Sequence, residues 1–446
     1  MENNIFNGQN VAKSYIKLSL PLVLSMVITL IYNLADTYFI AQTNNTNLVA
    51  GVSLGAPIFT LLMAIGNIFG QGGTSLISRL LGQNDQQNIE KVSSFCFYMS
   101  IIVGIVMTVI MLIFRVPLLY LIGASSDTFQ YASDYYIFLA IGSFVIILSY
   151  IHSNFLRAEG MSKESMSGTV LGSIVNIILD PILISFFNLG ASGAAIASVI
   201  GYLCPDIFFM VVVLKRSQVL SMNMRIMRIS FEHVRQIFGI GIPAAIVNVM
   251  QSVSAVLVNQ FLLSYGNDKI AAMGIALKIS MIALLLLTGF AFGGQPLFGY
   301  YYGSKDEERF KKLFKFCLCF MSIIGLILTI GIYIFAPTLM KCFIDTPSIV
   351  QDGTVMLRYL VITMVCVGIV LLITIVFQST GKSLASLILS IRRQGIVFLV
   401  VLMTMYRLIG YTGIIVSQAI SDIITAVIAV ILFKWQIYPE IYEKQY

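Results

Sequence analysis

The chain has 446 residues, 58% hydrophobic and 11% charged, with a mean hydropathy of +0.92. A soluble domain carries about 45–50% apolar and about 25% charged residues, so this composition excludes a soluble globular protein and implies an integral membrane protein. The balance of 27 Lys and Arg against 20 Asp and Glu gives +7. In a membrane chain such an excess belongs to loops facing anionic lipid, and it argues against a nucleic-acid partner.

The opening stretch, Met1 to Asn10, is polar and carries Glu2 with no basic run ahead of a short apolar core, which predicts no cleavable signal peptide. A helical crossing takes roughly 20 apolar residues. Apolar blocks between polar breaks predict twelve such passes, at 16–41, 51–78, 93–114, 133–155, 166–187, 190–214, 236–263, 270–299, 313–336, 355–379, 384–406 and 409–434. The expected fold is therefore all-α, with twelve transmembrane helices. Cys96, Cys204, Cys317, Cys319 and Cys366 lie in or at the edge of these blocks and Cys342 lies in a loop. Their spacing shows neither a metal-binding pattern nor a disulfide framework.

Sorting basic residues by alternate loops places about 21 on the side of the N-terminus, among them Arg79, Lys91, Lys163, Lys215, Arg216, Arg225, Arg228 and Arg235. About five fall on the other side: Arg115, Lys269, Lys341, Arg358 and Arg407. The positive-inside rule then predicts cytoplasmic termini and an even number of passes. The longest internal polar stretch, 215–235, is basic and reads as a cytoplasmic linker between a first lobe, 1–214, and a second, 236–446.

The two halves resemble each other. Gly66-Asn-Ile-Phe-Gly70 is answered by Gly289-Phe-Ala-Phe-Gly293, Gly82 by Gly303, Asp85 by Asp306, Pro21 by Pro243, Phe39 by Phe261 and Gly160 by Gly381. So many matches in register predict a duplicated six-helix unit. Six is even, so both copies share one orientation, with an axis along the membrane normal and a cavity between them, the plan of alternating-access carriers. The glycine pairs also read as surfaces for close helix packing.

Ionisable groups in lipid are expensive, so each is a functional candidate. Asp36 lies in Tyr32-Asn33-Leu34-Ala35-Asp36 near the outer end of the first pass, and Asp180 in Asn176-Ile-Ile-Leu-Asp180-Pro181, deep in the fifth. Asn176 and Asp180 are four residues apart and share a helix face. A carboxylate beside an amide oxygen suits a proton or a hard cation such as Na⁺, and Pro181 removes a backbone donor and frees carbonyls one turn back. The competing readings are that Asp180 caps an irregular turn and that Asp36 is hydrated at the interface. Lys278 either counters an acid or snorkels to headgroups. Asp206, after Pro205, and Asp422 have no partner legible in the sequence; Arg392 and Arg393 read as interfacial anchors, and His152 as a proton relay or a structural histidine. The 30 Phe, 21 Tyr and 21 Met suit a pocket for organic cations, or lipid-facing bulk.

These segments, together with Ile77-Ser-Arg-Leu-Leu-Gly82, Phe155-Leu-Arg157-Ala-Glu-Gly160, Gly193-Ala-Ala-Ile-Ala-Ser198 and Gly239-Ile-Gly-Ile-Pro243, resemble the multidrug and toxic compound extrusion (MATE) transporters, in the MepA-like branch near DinF. The likeness covers nearly the whole chain. It implies a V-shaped fold of two six-helix lobes that exports amphipathic cations in exchange for H⁺ or Na⁺. It also implies a cation site in the first lobe at Asp36, Asn176, Asp180 and Ser198; Pro181, with its missing backbone donor, is the expected hinge. Tyr32, Asn33, Lys278, Asp206 and Asp422 are the candidates for cavity or gate, and Lys278 the candidate for the outer gate. Val258 and Val401 stand at the second-half counterparts of Asp36 and Asp180, which argues for coupling in the first lobe. The expected cargo is small cationic drugs, the surroundings lipid and the state monomeric. A flippase for a lipid-linked or amphipathic metabolite is the alternative. An enzyme is disfavoured, since no His cluster, metal motif or Gly-x-x-x-x-Gly-Lys-Ser/Thr loop is present, so ATP is not the evident energy source.

Overall fold

The computed structural model describes residues 5–8, 10–391 and 395–443, and among them every regular element is helical. Helix α1 (Val11–Ala41) is the first pass, and α2 (Thr46–Ser53) with α3 (Ala56–Gly82) the second. Next come α4 (Gln86–Ile113), the short α5 (Arg115–Leu121), and α6 (Phe129–Ile141) with α7 (Ser143–Ala158). The first half closes with α8 (Ser162–Asp180), a π-helical turn at Pro181–Phe186, and α9 (Gly190–Arg216). The second half runs α10 (Phe231–Leu262), α11 (Asn267–Gly293), α12 (Gln295–Gly303), α13 (Glu307–Lys341), α14 (Pro347–Val361), α15 (Met364–Ser379), α16 (Ser383–Ile391), α17 (Val397–Ile409) and α18 (Tyr411–Gln436).

Among the described residues nine helices are long and apolar enough to cross a membrane, and two bent pairs bring the number to eleven. The remaining expected pass, 384–406, includes 392–394, so the anchoring role expected of Arg392 and Arg393 lies outside the described residues; α16 and α17 flank them. The fourth and tenth passes are not straight rods. The α6–α7 pair bends by 51° and the α14–α15 pair by 42°.

The duplication is visible in backbone detail. Asn84 and Lys305 both take a positive φ, of 57°, and each precedes an aspartate that caps the next helix. Asp85 accepts from the Asn88 N–H at 3.2 Å and Asp306 from the Arg309 N–H at 3.0 Å, satisfying donors that a helix start leaves open. Gly160 and Gly381 end matching helices with φ of 96° and 77°, a region where a Cβ is penalised.

The chain divides into two compact units, but not at the expected boundaries of 1–214 and 236–446. Residues 24–245 form the body of the first unit; residues 8–23 belong with 246–446 in the second. Thus α1 and α10 each begin in one unit and end in the other. Packing explains the exchange. A Cβ on Gly241 of α10 would stand 2.0 Å from the Ile68 carbonyl oxygen of α3, and Phe238 meets Phe69 edge to face at 5.6 Å. In the second unit the Tyr15 hydroxyl donates to the Phe290 carbonyl at 2.8 Å. The expected linker, 215–235, is also not free-standing. Ser217 donates to Glu159 at 2.6 Å, and the Ser221 carbonyl accepts from Ser93 and Ser94 at 3.0 Å each, which lays the segment across the start of α4.

Candidate functional site

The first unit holds a polar cluster inside an apolar helix bundle. Asp180 is the last residue of α8 and is fully buried, and Asn176 one turn earlier is 2% exposed. With its amide turned to satisfy both neighbours, Asn176 donates to Asp180 Oδ2 at 3.1 Å, and its oxygen accepts from the Ser198 N–H of α9 at 3.2 Å. Two close approaches hold these helices together. A Cβ on Gly172 would stand 2.3 Å from the Gly201 carbonyl oxygen, and one on Gly201 would stand 2.9 Å from the Asn176 Cβ. Small residues at such crossings let helix backbones touch.

Beyond Asp180 the helix widens into the π-helical turn at Pro181–Phe186, whose first residue lacks an N–H. The Phe187 N–H donates to the Ile182 carbonyl at 2.9 Å and the Leu189 N–H to Leu183 at 3.1 Å. The irregular backbone expected at Pro181 is therefore present, and a local widening of this kind often sits at a functional site.

Asp36 of α1 lies within electrostatic reach of Asp180, and Tyr135 of α6 within reach of both. Among the described residues, Asp36 Oδ1 and Asp180 Oδ1 are each buried without a hydrogen-bond partner. Tyr135 is in side-chain hydrogen-bonding reach of Ser198. Tyr32 of α1 and Tyr150 of α7 both reach the Tyr202 hydroxyl of α9. Tyr135 fits because a Cβ at Gly55 would stand 2.3 Å from its ring. Asn176, Asp180 and Ser198 are thus in contact, and Asp36, one turn beyond Tyr32 on α1, lies within electrostatic reach of Asp180.

The other candidates are elsewhere. Asn33 is exposed on α1 and Lys278 is exposed on α11. Asp422 is buried in the second unit, accepting from Thr363 Oγ1 and Gln418 Nε2 at 3.2 Å each, which ties α18 to the break between α14 and α15. His152 is buried with its ring 5.1 Å from that of Phe97, and among the described residues neither ring nitrogen has a partner. Asp206 is buried in α9 near Ser149 of α7. Sequence reasoning missed Tyr135, Tyr150 and Tyr202. The available signal was a phenol, rather than a Phe, well inside an apolar block, where its hydroxyl needs a partner.

Among the described residues no group of three His, Cys, Asp or Glu converges to hold a metal. The site instead offers two carboxylates, an amide and hydroxyls, a set of hard oxygen donors that accepts a proton or accommodates an alkali cation.

A helical membrane fold of two compact units, with the sequence repeat running through both, is the architecture of a multi-pass membrane transporter. The family model described as MatE matches residues 21–182 and 243–404, one copy in each half, and the chain belongs to this family of multi-pass membrane proteins. The multidrug export protein MepA of Staphylococcus haemolyticus (strain JCSC1435) is 32% identical over 427 residues, 96% of this chain and 94% of that protein. MepA of Staphylococcus aureus (strain MRSA252) is 31% identical over the same length. A MATE crystal structure in the straight conformation superposes with a TM-score of 0.92 at 25% identity, covering 98% of both chains.

Proposed function

We propose that this chain is a multidrug exporter that moves amphipathic organic cations out of the cell in exchange for H⁺ or Na⁺ moving in. Export of drugs is what the MepA relatives are named for. The observation that carries ion coupling is the acid pair, half-buried Asp36 and buried Asp180, each with one buried oxygen that no described residue satisfies. A charge in lipid is retained where it does work, and a buried carboxylate oxygen without a protein partner can bind a proton or a hard cation.

In the mechanism, Asp180, assisted by Asp36, takes the ion while the site is open to the outside. Neutralising the carboxylate changes what Asn176, Ser198 and Tyr135 can bond to. The helix end repacks about Pro181, where the π-helical turn is already irregular, and drug affinity falls. Drug leaves outward, the carrier resets, and the ion is released to the cytoplasm. Membrane potential adds about 2.3 kcal/mol per charge per 100 mV. The charge asymmetry of the loops puts both termini in the cytoplasm, and the carrier acts as a monomer in the plasma membrane without ATP.

The test is export of a fluorescent organic cation from proteoliposomes under a pH gradient and, separately, a Na⁺ gradient. Wild type should respond to one of them, and Asp180→Asn, which cannot change charge, should stay folded and respond to neither. Gradient-driven export by that variant would remove Asp180 from the mechanism. Response of a lipid-linked substrate alone would favour the flippase reading.

A further inference from the structure

Below the acid cluster, α9 carries a second stripe of polar groups that the exchange mechanism leaves unused. Ser198, Tyr202 and Asp206 are spaced four residues apart, so they line one face of the helix at intervals of roughly 6 Å. Ser198 faces Asn176 and Tyr135; Tyr202 faces Tyr32 and Tyr150. Asp206 is 1% exposed, neither of its oxygens has a well-formed hydrogen bond among the described residues, and the Ser149 hydroxyl of α7 faces it. From Ser149 the same spacing continues along α7 through Ser153 to Arg157. There the Ser153 and Ser165 hydroxyls lie 3.1 Å apart, and Arg157 donates to them at 2.8 and 3.0 Å. Two residues on, Glu159 bonds Ser217 just past the end of α9. The stripe therefore runs from the acid cluster to the end of the unit where α7 and α9 both finish.

We propose that Asp206 is an internal proton station on this stripe, through which the proton released from the Asp36–Asp180 cluster leaves toward the Arg157 end. The proposal rests on the ion-exchange reading above and adds both the identity of the ion and its exit route. Hydroxyls both donate and accept. As Tyr32 takes a proton from the Asp36 carboxyl it yields its own to Tyr202, which yields its own toward Asp206. One carboxylic acid becomes a carboxylate, Asp206 becomes the acid, and each phenol ends as it began. Ser149 then carries the proton from Asp206 toward Ser153. A gap of one helical turn is a distance that a single bridging water spans. The chemistry of the stripe favours H⁺ over Na⁺, since phenols and lone serines make a poor cation cage and the path ends at a guanidinium.

The elements packed on α9 include α2, α6, α7, α8 and the π-helical turn; α1 also reaches it through Tyr32, with Asp36 one turn further on, and α3 through Phe59. The further titratable groups are Tyr131, Asp134, Tyr135 and Tyr136 on α6; Tyr150, His152 and Arg157 on α7; and Lys163, Glu164 and Asp180 on α8. Glu164 pairs with Arg216 at 3.4 Å, and the His152 ring lies against Phe97 of α4. Among the described residues no cation forms an ion pair with Asp206.

The experiment uses the full chain in proteoliposomes with ethidium as cargo, comparing wild type, Asp206→Asn, Ser149→Ala and Asp180→Asn. Asp206→Asn should slow export driven by a pH gradient by roughly tenfold or more, the size expected for losing a proton-transfer group, with ethidium affinity unchanged. Ser149→Ala should slow it less. A protonated-carboxyl infrared band that titrates in wild type should vanish in Asp206→Asn and persist in Ser149→Ala. If Asp206→Asn exports at the wild-type rate with the wild-type pH profile, the proposal is overturned while ion exchange stands. If a Na⁺ gradient drives wild type and a pH gradient does not, the station is likewise refuted. If neither gradient drives wild type, exchange itself fails, and the proposal with it. Should Asp206→Asn not fold, an unchanged rate in Ser149→Ala decides against the path.

Discussion

Asp180 combines complete burial, an amide partner and an unsatisfied oxygen at the point where a regular helix gives way to a π-helical turn. Its neighbours are arranged by sterics as much as by hydrogen bonds. The ring of Tyr135 occupies the space where a Gly55 side chain would be, so Gly55→Val should displace Tyr135 and weaken gradient-driven export several-fold while the protein still inserts. Export kinetics beside a membrane-insertion assay checks this, and a wild-type rate would show that Tyr135 can be moved without consequence. Asp36, Asn176, Asp180 and Ser198 were legible because depth makes an acid conspicuous and the flanking segments resemble a known family. The tyrosines were not. A phenol in an apolar block counts as an aromatic in any composition, and only packing shows which hydroxyls meet.

At the scale of elements, the apolar blocks marked eleven passes closely, since a membrane helix must be apolar over a fixed length. The bends at Gly142 and at Ile362–Thr363 left no proline or polar break to read. They are set by what packs on them: Val199 of α9 would collide with a Cβ at Gly142, and Asp422 of α18 holds Thr363. The crossing of α8 and α9 tolerates no side chain at Gly172, where a Cβ would sit 2.3 Å from a carbonyl oxygen. Gly172→Leu should therefore cost several kcal/mol, in the range of severe overpacking, and lower the thermal midpoint in detergent. A midpoint within a degree or so of wild type would show that the two helices can separate. The paired caps at Asp85 and Asp306 predict a smaller effect. Replacing either by Ala should cost about 1 kcal/mol, and equal losses at both positions, measured by thermal unfolding, would express the duplication in energy.

At the largest scale the chain divides into two compact units, with the starts of α1 and α10 exchanged between them. The repeat was evident in matched Gly, Pro and Asp residues. The exchange was not, because which bundle a helix end joins depends on tertiary packing and leaves local propensity unchanged. Pro21 and Pro243 lie within a turn of where each helix changes unit. Because Phe69 and Phe238 belong to the same unit, a short cross-link between cysteines placed there should leave export intact. Loss of export on cross-linking, reversed by cleaving the linker, would show that the start of α10 moves against the first unit during transport.

Exchange of an ion for drug at Asp36 and Asp180 is open to a direct test by equilibrium binding. Affinity for a fluorescent organic cation would be measured in detergent across pH at fixed Na⁺, and across Na⁺ at fixed pH, for wild type and Asp180→Asn. Wild-type affinity should weaken as the coupling ion is added, in the pH series if the ion is H⁺, and Asp180→Asn should show no such dependence. A variant that keeps the wild-type slope would contradict the claim, because the ion would then be held somewhere other than Asp180.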